Sequence, residues 1–247
     1  MNGFALKIIA LVAMIIDHTG KAFPGILPFE ILVIGRIAFP IYVFLIAEGF
    51  CHTKNPVKFL ARLFIFAIIS EPFFDMALKP GGINFFASTN IFYTLFLGGA
   101  AITIYEYVRK KWHFVEQNMK ITSAIVAAML MVGFAWLAGS VFTSDYGGYG
   151  VVFIFCMYLL RKFDVPKGLM LTAMAVLSLW QYEWMLVYAF TNGITAIPNA
   201  MWLVITVTPV SVLLVAFYNG KRGPGWKWFF YWSYPVHLTV LAVVRIV

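Results

Sequence analysis

The stretch Arg36–His52, RIAFPIYVFLIAEGFCH, decides how the rest of the chain is interpreted. It is apolar enough to lie in a lipid bilayer, yet it begins with an arginine and ends with Glu48 and His52. An ionised side chain at bilayer depth costs roughly 3 kcal/mol unless another group pairs with it, so such a residue points to function. Pro40 removes one helix hydrogen bond and predicts a kink between the charged ends. We therefore expect other helices to present polar side chains to this one.

The composition places the chain among integral membrane proteins. Of its 247 residues, 62% are hydrophobic and only 11% are charged, whereas a soluble domain carries roughly 25% charged residues. The mean hydropathy is +0.89. Short loops favour one domain over residues 1–247. The first apolar segment runs into Asp17 and His18 without a small-residue cleavage site, which indicates a retained transmembrane helix and not a signal peptide.

Apolar runs of the length that spans a bilayer recur along the whole chain. We predict an all-α, polytopic transmembrane helix bundle of about nine spans, with eight or ten as alternatives. The predicted spans are 4–22, 30–51, 58–78, 89–109, 120–139, 148–162, 168–190, 199–217 and 227–246.

The positive charge is distributed as the topology of a membrane protein requires. Most of the 18 Lys and Arg residues flank the N-terminus and the even-numbered loops of the predicted bundle. By the positive-inside rule, this bias predicts a cytoplasmic N-terminus. The formal net charge of +8 is thereby explained by topology, so nucleic acid is not an expected partner.

Several polar residues are predicted to lie at one level in the outer third of the membrane. At ~1.5 Å per residue, His18 is ~21 Å and Glu71 ~20 Å from the cytoplasmic start of its helix, while Arg36 is ~9 Å below the outer surface. Asp145, in a glycine-rich external turn, is placed to cap this level. His237 comes out lower, at ~15 Å. The three estimates for His18, Arg36 and Glu71 converge in a core of ~30 Å.

A second polar group is predicted at the cytoplasmic face. Glu48 and His52 are four residues apart and so share one side of their helix. The basic residues Lys54 and Arg62 follow, and the loop YNGKRG, residues 218–223, lies between the last two spans. Basic side chains and exposed backbone amides suit phosphate groups. The pattern predicts that a phosphorylated donor docks from inside while a nucleophile arrives from outside.

Seven short motifs, in the same order, resemble the TraX family over nearly the whole chain. They are DHTGK (17–21), RIAFPI (36–41), AEGFCH (47–52), SEPFFD (70–75), DYGGYG (145–150), YNGKRG (218–223) and YPVH (234–237). Each motif alone is weak, but seven in sequence are quite specific.

The resemblance implies a function. The TraX family is named for the membrane enzyme that N-acetylates the amino terminus of F-type pilin, and it is grouped with the acyltransferase-3-type membrane acyltransferases. Members of that superfamily take acetyl groups from cytoplasmic acetyl-CoA. The resemblance therefore implies an acetyl-CoA-dependent N- or O-acetyltransferase of a bacterial inner membrane, with no metal. The acceptor stays open among a polypeptide N-terminus, an amino sugar and a polysaccharide hydroxyl.

The resemblance also suggests residues for the chemistry. In the superfamily, a histidine in an early transmembrane helix is associated with catalysis, which by position is His18. The full predicted catalytic set is His18, Asp17, Arg36, Glu71, Asp145 and His237. An imidazole suits a general base because its unperturbed pKa is near neutrality.

Several roles within this set stay open. Asp17 lies on a different helix face from its neighbour His18 unless the helix is irregular, so Glu71 or Asp145 is an equally good orienting acid. Arg36 either pairs with Glu71 or polarises the thioester carbonyl. The second histidine of the set is either another acid or base or itself carries the acetyl group. The structural alternative for every member of the set is a hydrogen bond or ion pair that serves only helix packing.

A second set of residues is predicted to bind the donor. It comprises Glu48, His52, Lys54, Arg62, Asn219, Lys221 and Arg222. Topology alone also explains the cations of this set, and the Glu48–His52 pair is also typical of a membrane interface.

Two other classes of protein compete with the acetyltransferase. Intramembrane acids and histidines also build the proton relays of secondary transporters, and transporters often have broken helices in both halves. In the sequence, only Pro40 and Pro72 interrupt early spans, and no matching later pair is evident. A structural partner in an envelope complex would leave the buried charges unexplained.

Overall fold

The computed structural model describes residues 1–79, 82–86, 88–111, 120–194 and 197–246, and every regular element in these ranges is helical. The fold class therefore agrees with the all-α prediction. The α-helices are α1 (Gly3–Ala22), α2 (Phe29–Leu32), α3 (Ala38–His52), α4 (Pro56–Leu78), α5 (Ile91–Lys111), α6 (Lys120–Trp136), α7 (Gly147–Lys162), α8 (Lys167–Trp180), α9 (Glu183–Asn192), α10 (Asn199–Val207), α11 (Val210–Ala216) and α12 (Lys227–Ile246). A 3₁₀ turn, Val33–Ile37, joins α2 to α3, and a π turn, Leu137–Val141, follows α6.

Among the described residues, four helical segments are long and apolar enough to cross a membrane. They are Gly3–Ala22, Phe29–His52, Ile91–Lys111 and Ile121–Val141. The long helix α4 is not among them, and its charge explains why, because every 18-residue window within it contains at least three ionisable residues. Two of these, Glu71 and Asp75, are buried inside the protein. Charge and not length therefore separates α4 from the four apolar helices.

Two predicted spans are each divided into two helices. The segment 168–190 breaks between α8 and α9 at Gln181 and Tyr182, and the segment 199–217 breaks between α10 and α11 at Thr208 and Pro209. The second break has a direct cause, since proline cannot donate a backbone hydrogen bond. The later half of the chain thus contains interrupted helices that the sequence pattern did not reveal.

The chain separates into two compact units. The first comprises Met1–Leu45, Met76–Pro80 and Val165–Val247, and the second comprises Ile46–Asp75 and Gly81–Asp164. The prediction of a single domain over residues 1–247 is not tested by this division and stays a prediction.

In the first unit, α1 packs against the 3₁₀ turn and against α12. Asn2 caps α1, because its side-chain oxygen accepts a hydrogen bond from the Ala5 amide at 2.9 Å. The α1 side chains that face the interior recur with helical period. They are Leu6, Ala10, Ala13, Met14, Asp17 and His18, all of which are buried. This buried stripe includes two of the predicted catalytic residues.

The 3₁₀ turn brings Arg36 towards α1. Pro40 has no amide hydrogen, so the Arg36 carbonyl lacks its α-helical donor, and the chain tightens before α3 begins. Gly35 permits the close approach, because a Cβ atom there would lie 2.5 Å from the Asp17 Cβ. The expected irregularity near Pro40 is therefore a tight turn that precedes the proline.

In the second unit, α5, α6 and α7 pack against one another and against the π turn. Leu97, Ala138 and Val151 form a buried apolar cluster between these elements. Gly148 lies against α6 so closely that a Cβ atom there would be 2.7 Å from the Ala135 carbonyl oxygen. This packing fixes the ends of α5 and α7, where buried polar side chains of the unit are found.

Candidate active site

Two histidines, one from α1 and one from α12, meet inside the first unit. His18 Nδ1 lies 2.7 Å from His237 Nε2, and the two ring planes are within 13° of parallel. The His18 residue is only 4% exposed. The fold thus brings together two predicted catalytic residues that are 219 positions apart in the chain.

The hydrogen-bond partners assign the protons of this pair. His237 Nδ1 lies 2.8 Å from the Ser233 carbonyl oxygen one turn earlier, and a carbonyl oxygen can only accept, so Nδ1 is the donor. In neutral His237 the lone pair is then on Nε2, which accepts from His18 Nδ1. Neutral His18 consequently carries its lone pair on Nε2. The arrangement makes His18 Nε2 the basic atom of the pair.

Tyr234 packs against both imidazoles. Its ring centroid is 5.7 Å from that of His18 and 5.4 Å from that of His237, with ring planes close to perpendicular in both contacts. The residue is 3% exposed. Tyr234 was not among the predicted site residues, although its position three residues before His237 places both on one helix face. Its edge-to-face packing limits the rotation of the two imidazole rings.

Asp17 binds two cations. Its Oδ2 lies 2.7 Å from Lys21 Nζ, and its Oδ1 lies 3.0 Å from Arg36 Nη2. The helix is regular at this point, so Asp17 and His18 face different directions as expected. The structure therefore gives Arg36 a carboxylate partner, Asp17, that was not predicted from the sequence. Lys21 was also missed, although its i,i+4 spacing from Asp17 is typical of a helical ion pair.

The ion-pair cluster contains one carboxylate and two partly exposed cations. The Lys21 and Arg36 side chains are 36% and 34% exposed. Because Asp17 precedes His18 directly in α1, these charges lie next to the histidine pair. Cations beside a base can stabilise negative charge that develops on a reacting oxygen.

The two broken helices meet near this cluster. The Thr208 hydroxyl, at the break between α10 and α11, lies at a hydrogen-bond distance of 3.4 Å from the Tyr182 hydroxyl at the break between α8 and α9. Tyr182 lies within electrostatic range of Arg36 and Asp17, and α10 packs on the 3₁₀ turn that carries Arg36. The interruptions thus place hydroxyl groups beside the charged part of the site.

Glu71 and Asp145 lie in the second unit. Glu71 is fully buried, and its Oε2 accepts hydrogen bonds from the Asn90 amide at 3.0 Å and from the Asn90 side chain at 2.6 Å. Asn90 directly precedes α5, so Glu71 anchors the start of that helix. Asp145 is exposed, and its amide donates to the Thr89 carbonyl oxygen at 2.9 Å. The catalytic roles of both acids stay predictions.

Four residues predicted to bind the donor also lie in the second unit. Arg161 Nε and Nη2 both lie 2.7 Å from Glu48 Oε2, and His52 Nδ1 donates to the Glu48 carbonyl oxygen at 2.9 Å. Lys54 is exposed in the turn before α4. The Arg62 guanidinium lies 5.7 Å from the centre of the Phe59 ring. Arg161, which was assigned only to topology, is thus the partner of the buried Glu48.

The other three predicted donor residues lie in the first unit, in the exposed loop between α11 and α12. The Asn219 amide donates to the Met1 carbonyl oxygen at 2.9 Å, and the Gly3 amide donates to the Lys221 carbonyl oxygen at 2.8 Å. Asn219 Oδ1 accepts from the Lys221 amide at 3.1 Å. These bonds hold Lys221 and Arg222 beside the start of α1.

Comparisons with known proteins found a family model and a curated relative that each cover nearly the whole chain. A family model described as "TraX protein" matches residues 2–245. A relative from Dichelobacter nodosus is described as "Probable fimbrial assembly protein FimC, serogroup H1". It is 29% identical over an alignment of 261 residues, gaps included, that covers 99% of this chain and 96% of the relative. No solved structure matches the chain.

Proposed function

Because the chain belongs to the TraX family, we propose that it is an integral membrane acetyltransferase that moves an acetyl group from cytoplasmic acetyl-CoA to an amine or hydroxyl acceptor at or across the membrane. The observation that carries this proposal is the hydrogen bond between the buried His18 and the partly buried His237. A buried imidazole with a defined lone pair is what acyl transfer to a neutral nucleophile requires of a general base.

The proposed reaction assigns a proton path to the pair. The acceptor nitrogen or oxygen attacks the thioester carbonyl carbon, and its proton passes to His18 Nε2. The imidazolium that results remains hydrogen-bonded through Nδ1 to His237 Nε2, whose own orientation is held by the Ser233 carbonyl. When the carbon–sulfur bond breaks, the His18 imidazolium gives this proton to the CoA thiolate, which restores the neutral base and leaves the acetyl group on the acceptor.

Arg36 is proposed to stabilise the oxyanion of this reaction. Asp17 holds the Arg36 guanidinium at 3.0 Å, and the partial exposure of Arg36 leaves part of its side chain accessible. A cation that is already oriented in a site of low dielectric stabilises developing charge without reorganisation. Lys21 contributes to the same positive field through its own bond to Asp17.

The membrane arrangement is part of the proposal. We infer nine spans, a cytoplasmic N-terminus, a bacterial inner-membrane location and membership of the acyltransferase-3-type superfamily. An odd number of spans requires the first and last to run in the same direction. In keeping with this, Phe4 contacts Phe230 near the start of α12, while His18 contacts His237 further along both helices. Cysteine labelling of the loop residues Thr53 and Thr143, the second of which is exposed, from either side of sealed vesicles tests the topology in a variant without the free Cys51 and Cys156.

The acceptor proposed first is a polypeptide amino terminus. The Dichelobacter nodosus relative is described as a fimbrial assembly protein, and fimbriae are built from polypeptide subunits. An amino sugar or a polysaccharide hydroxyl are the competing acceptors, since His18 would serve as base for each of them.

A transfer assay in proteoliposomes tests the proposal. Radiolabelled acetyl-CoA is supplied with a peptide bearing a free amino terminus, with glucosamine or with a hydroxylated polysaccharide, and label in the acceptor is measured. The proposal expects transfer to one of these by wild type and none by His18→Ala, which still binds acetyl-CoA. Absence of both acetyl-CoA binding and transfer in folded wild-type protein would contradict it.

A proton-coupled secondary transporter is the second candidate. The specific observation that favours it is the pair of interrupted helices that meet at Tyr182 and Thr208, because broken helices line the substrate sites of many transporters. Acidification of the lumen of proteoliposomes without acetyl-CoA, coupled to movement of a solute, would favour this function over acetyl transfer.

A further inference from the structure

The start of α1 and the start of α12 form a cationic and aromatic patch in the first unit. Its members are Lys7, Lys221, Arg222, Trp226 and Lys227. Neither residues 1–16 nor residues 184–247 contain an aspartate or a glutamate. Within the described part of the chain, none of the four cations forms an ion pair. The positive charge of this patch is therefore not paired with an acid among the described residues.

The fold holds these cations close together. Lys7 is close enough to Arg222 for the two like charges to interact, and the hydrogen bond from the Gly3 amide to the Lys221 carbonyl oxygen fixes the loop there. Gly223 has a φ angle of +74°, and a Cβ atom there would lie 2.9 Å from the Phe4 Cβ. Like charges held in one place without an acid indicate a site for an anion.

An aromatic surface adjoins the cations. The Trp226 residue is 60% exposed, and its ring is held edge-on by Phe4 and Phe229, with centroids at 5.5 Å and 5.9 Å. Lys7 Nζ lies 5.4 Å from the centre of the Phe230 ring. An exposed, oriented indole beside cations has the properties that stack a nucleobase and bind its phosphates.

The distance between this patch and the histidine pair is comparable to the length of the arm of coenzyme A. Lys7 and His18 are 11 residues apart on α1, or ~16 Å, and Lys227 and His237 are ten residues apart on α12, or ~15 Å. The two helices run in the same direction, so the cations at the start of α1 and of α12 lie at similar distances from the histidine pair. The extended phosphopantetheine arm of coenzyme A can bridge this distance.

We propose that Lys7, Arg222, Trp226 and Lys227 bind the phosphorylated adenosine end of acetyl-CoA, with the adenine on Trp226 and the phosphates on the cations, while the thioester reaches His18. This inference rests on the proposed function, and it adds residues that the predicted donor set did not contain. It makes the adenosine bisphosphate, and not only the acetyl-pantetheine arm, a determinant of donor specificity.

Competition and truncated donors test the inference. The Kd of acetyl-CoA is measured for purified protein in neutral-lipid nanodiscs, with adenosine 3′,5′-bisphosphate as competitor. Wild type is expected to show competition, and the variants Trp226→Ala and Lys7→Met/Arg222→Gln to raise the Kd about tenfold or more. Thiol release from S-acetyl-pantetheine, which lacks adenosine and phosphates, is expected to be unchanged in these variants. Trp232→Ala and Lys110→Gln, which change exposed residues outside the patch, are the matched controls.

The outcomes separate the inference from the function on which it rests. Wild type that binds acetyl-CoA with no competition, or patch variants that bind it as tightly as the controls, would overturn the inference and leave the acetyltransferase proposal standing. Patch variants that bind acetyl-CoA normally but lose the phosphatidylglycerol that copurifies with wild type from the membrane would assign the patch to a lipid headgroup instead. Failure of folded wild type to bind either acetyl-CoA or the bisphosphate would overturn both proposals. Melting curves confirm that each variant is folded.

Discussion

The two units use their buried polar side chains in different ways. In the second unit, the Glu71 carboxylate accepts from the backbone and side chain of Asn90, and the Glu48 carboxylate is bound by Arg161. In the first unit, His18 and His237 bind each other, and the pair retains a basic nitrogen, His18 Nε2. The carboxylates of Glu71 and Glu48 hold a helix start and a cation in place, whereas the hydrogen-bonded imidazoles can also exchange a proton.

The difference separates residues expected to affect stability from residues expected to affect chemistry. Both groups are buried and both were selected from the sequence for the same reason, namely polar character in an apolar span. Only their partners distinguish them. Substitutions of the histidine pair are therefore expected to lower turnover with little change in melting temperature. Substitutions of the Glu48 and Glu71 contacts are expected to lower the melting temperature with little change in turnover.

The largest expected effect is that of His18→Ala. Loss of a general base reduces proton transfer by about 10² to 10⁴-fold, so the acetyl transfer rate should fall by about 10³-fold while the Kd for acetyl-CoA stays within about twofold. Turnover and calorimetric binding measured on the same preparation check this. A variant that retains a tenth of wild-type turnover would remove His18 from the role of base.

Arg161→Met is expected to affect stability and not chemistry. It leaves the Glu48 carboxylate buried without its cation, which costs about 3 kcal/mol. Thermal unfolding in detergent should show a lower Tm, and the double variant Glu48→Gln/Arg161→Met should recover most of the loss. An unchanged Tm in the single variant would show that Glu48 is solvated in the membrane.

His237→Ala is expected to lower kcat about tenfold to a hundredfold. The lost hydrogen bond to the His18 imidazolium is a bond to a charged group, which is worth roughly 1.5–3 kcal/mol. If His237 only positions His18, KM for acetyl-CoA should stay unchanged, and His237→Gln should recover part of the rate. A radiolabelled acetyl group trapped on wild-type protein and absent from His237→Ala would instead show that His237 carries the acetyl group.

Glu71→Gln should give the smallest effect. The substitution keeps one oxygen acceptor for Asn90 but replaces a charge-assisted hydrogen bond with a neutral one, at a cost of about 1 kcal/mol. Turnover is expected to match wild type, and Tm to fall slightly. A loss of turnover comparable to that of His18→Ala would confirm the predicted catalytic role of Glu71 and erase the contrast between the units.

The sequence predicted the helices and part of the site for physical reasons. The depth estimate used only the rise per residue, and it placed His18 and Arg36 at one level in the membrane. The structure joins Arg36 to Asp17, the neighbour of His18. The same estimate left His237 ~6 Å from the level of His18, because it omitted helix tilt and the reach of two side chains. Candidate site residues could be selected from the sequence wherever a polar residue interrupted an apolar run.

Partner choice could not be predicted in the same way. Glu48 pairs with Arg161, which is 113 positions away, and Asn90 binds Glu71 from a turn without a motif of its own. Hydropathy averages over the breaks at Tyr182 and Thr208, although Pro209 marks the second one in the sequence. Local spacing did contain the Asp17–Lys21 pair and the Tyr234–His237 face, so these two could have been found.

The most direct measurement is thiol release from acetyl-CoA by wild type, His18→Ala and Glu71→Gln in the same proteoliposomes, with the peptide, glucosamine and polysaccharide acceptors present together. The account predicts that Glu71→Gln releases thiol at the wild-type rate and that His18→Ala is slower by about 10³-fold while it still binds acetyl-CoA. Equal rates for wild type and His18→Ala would contradict the account.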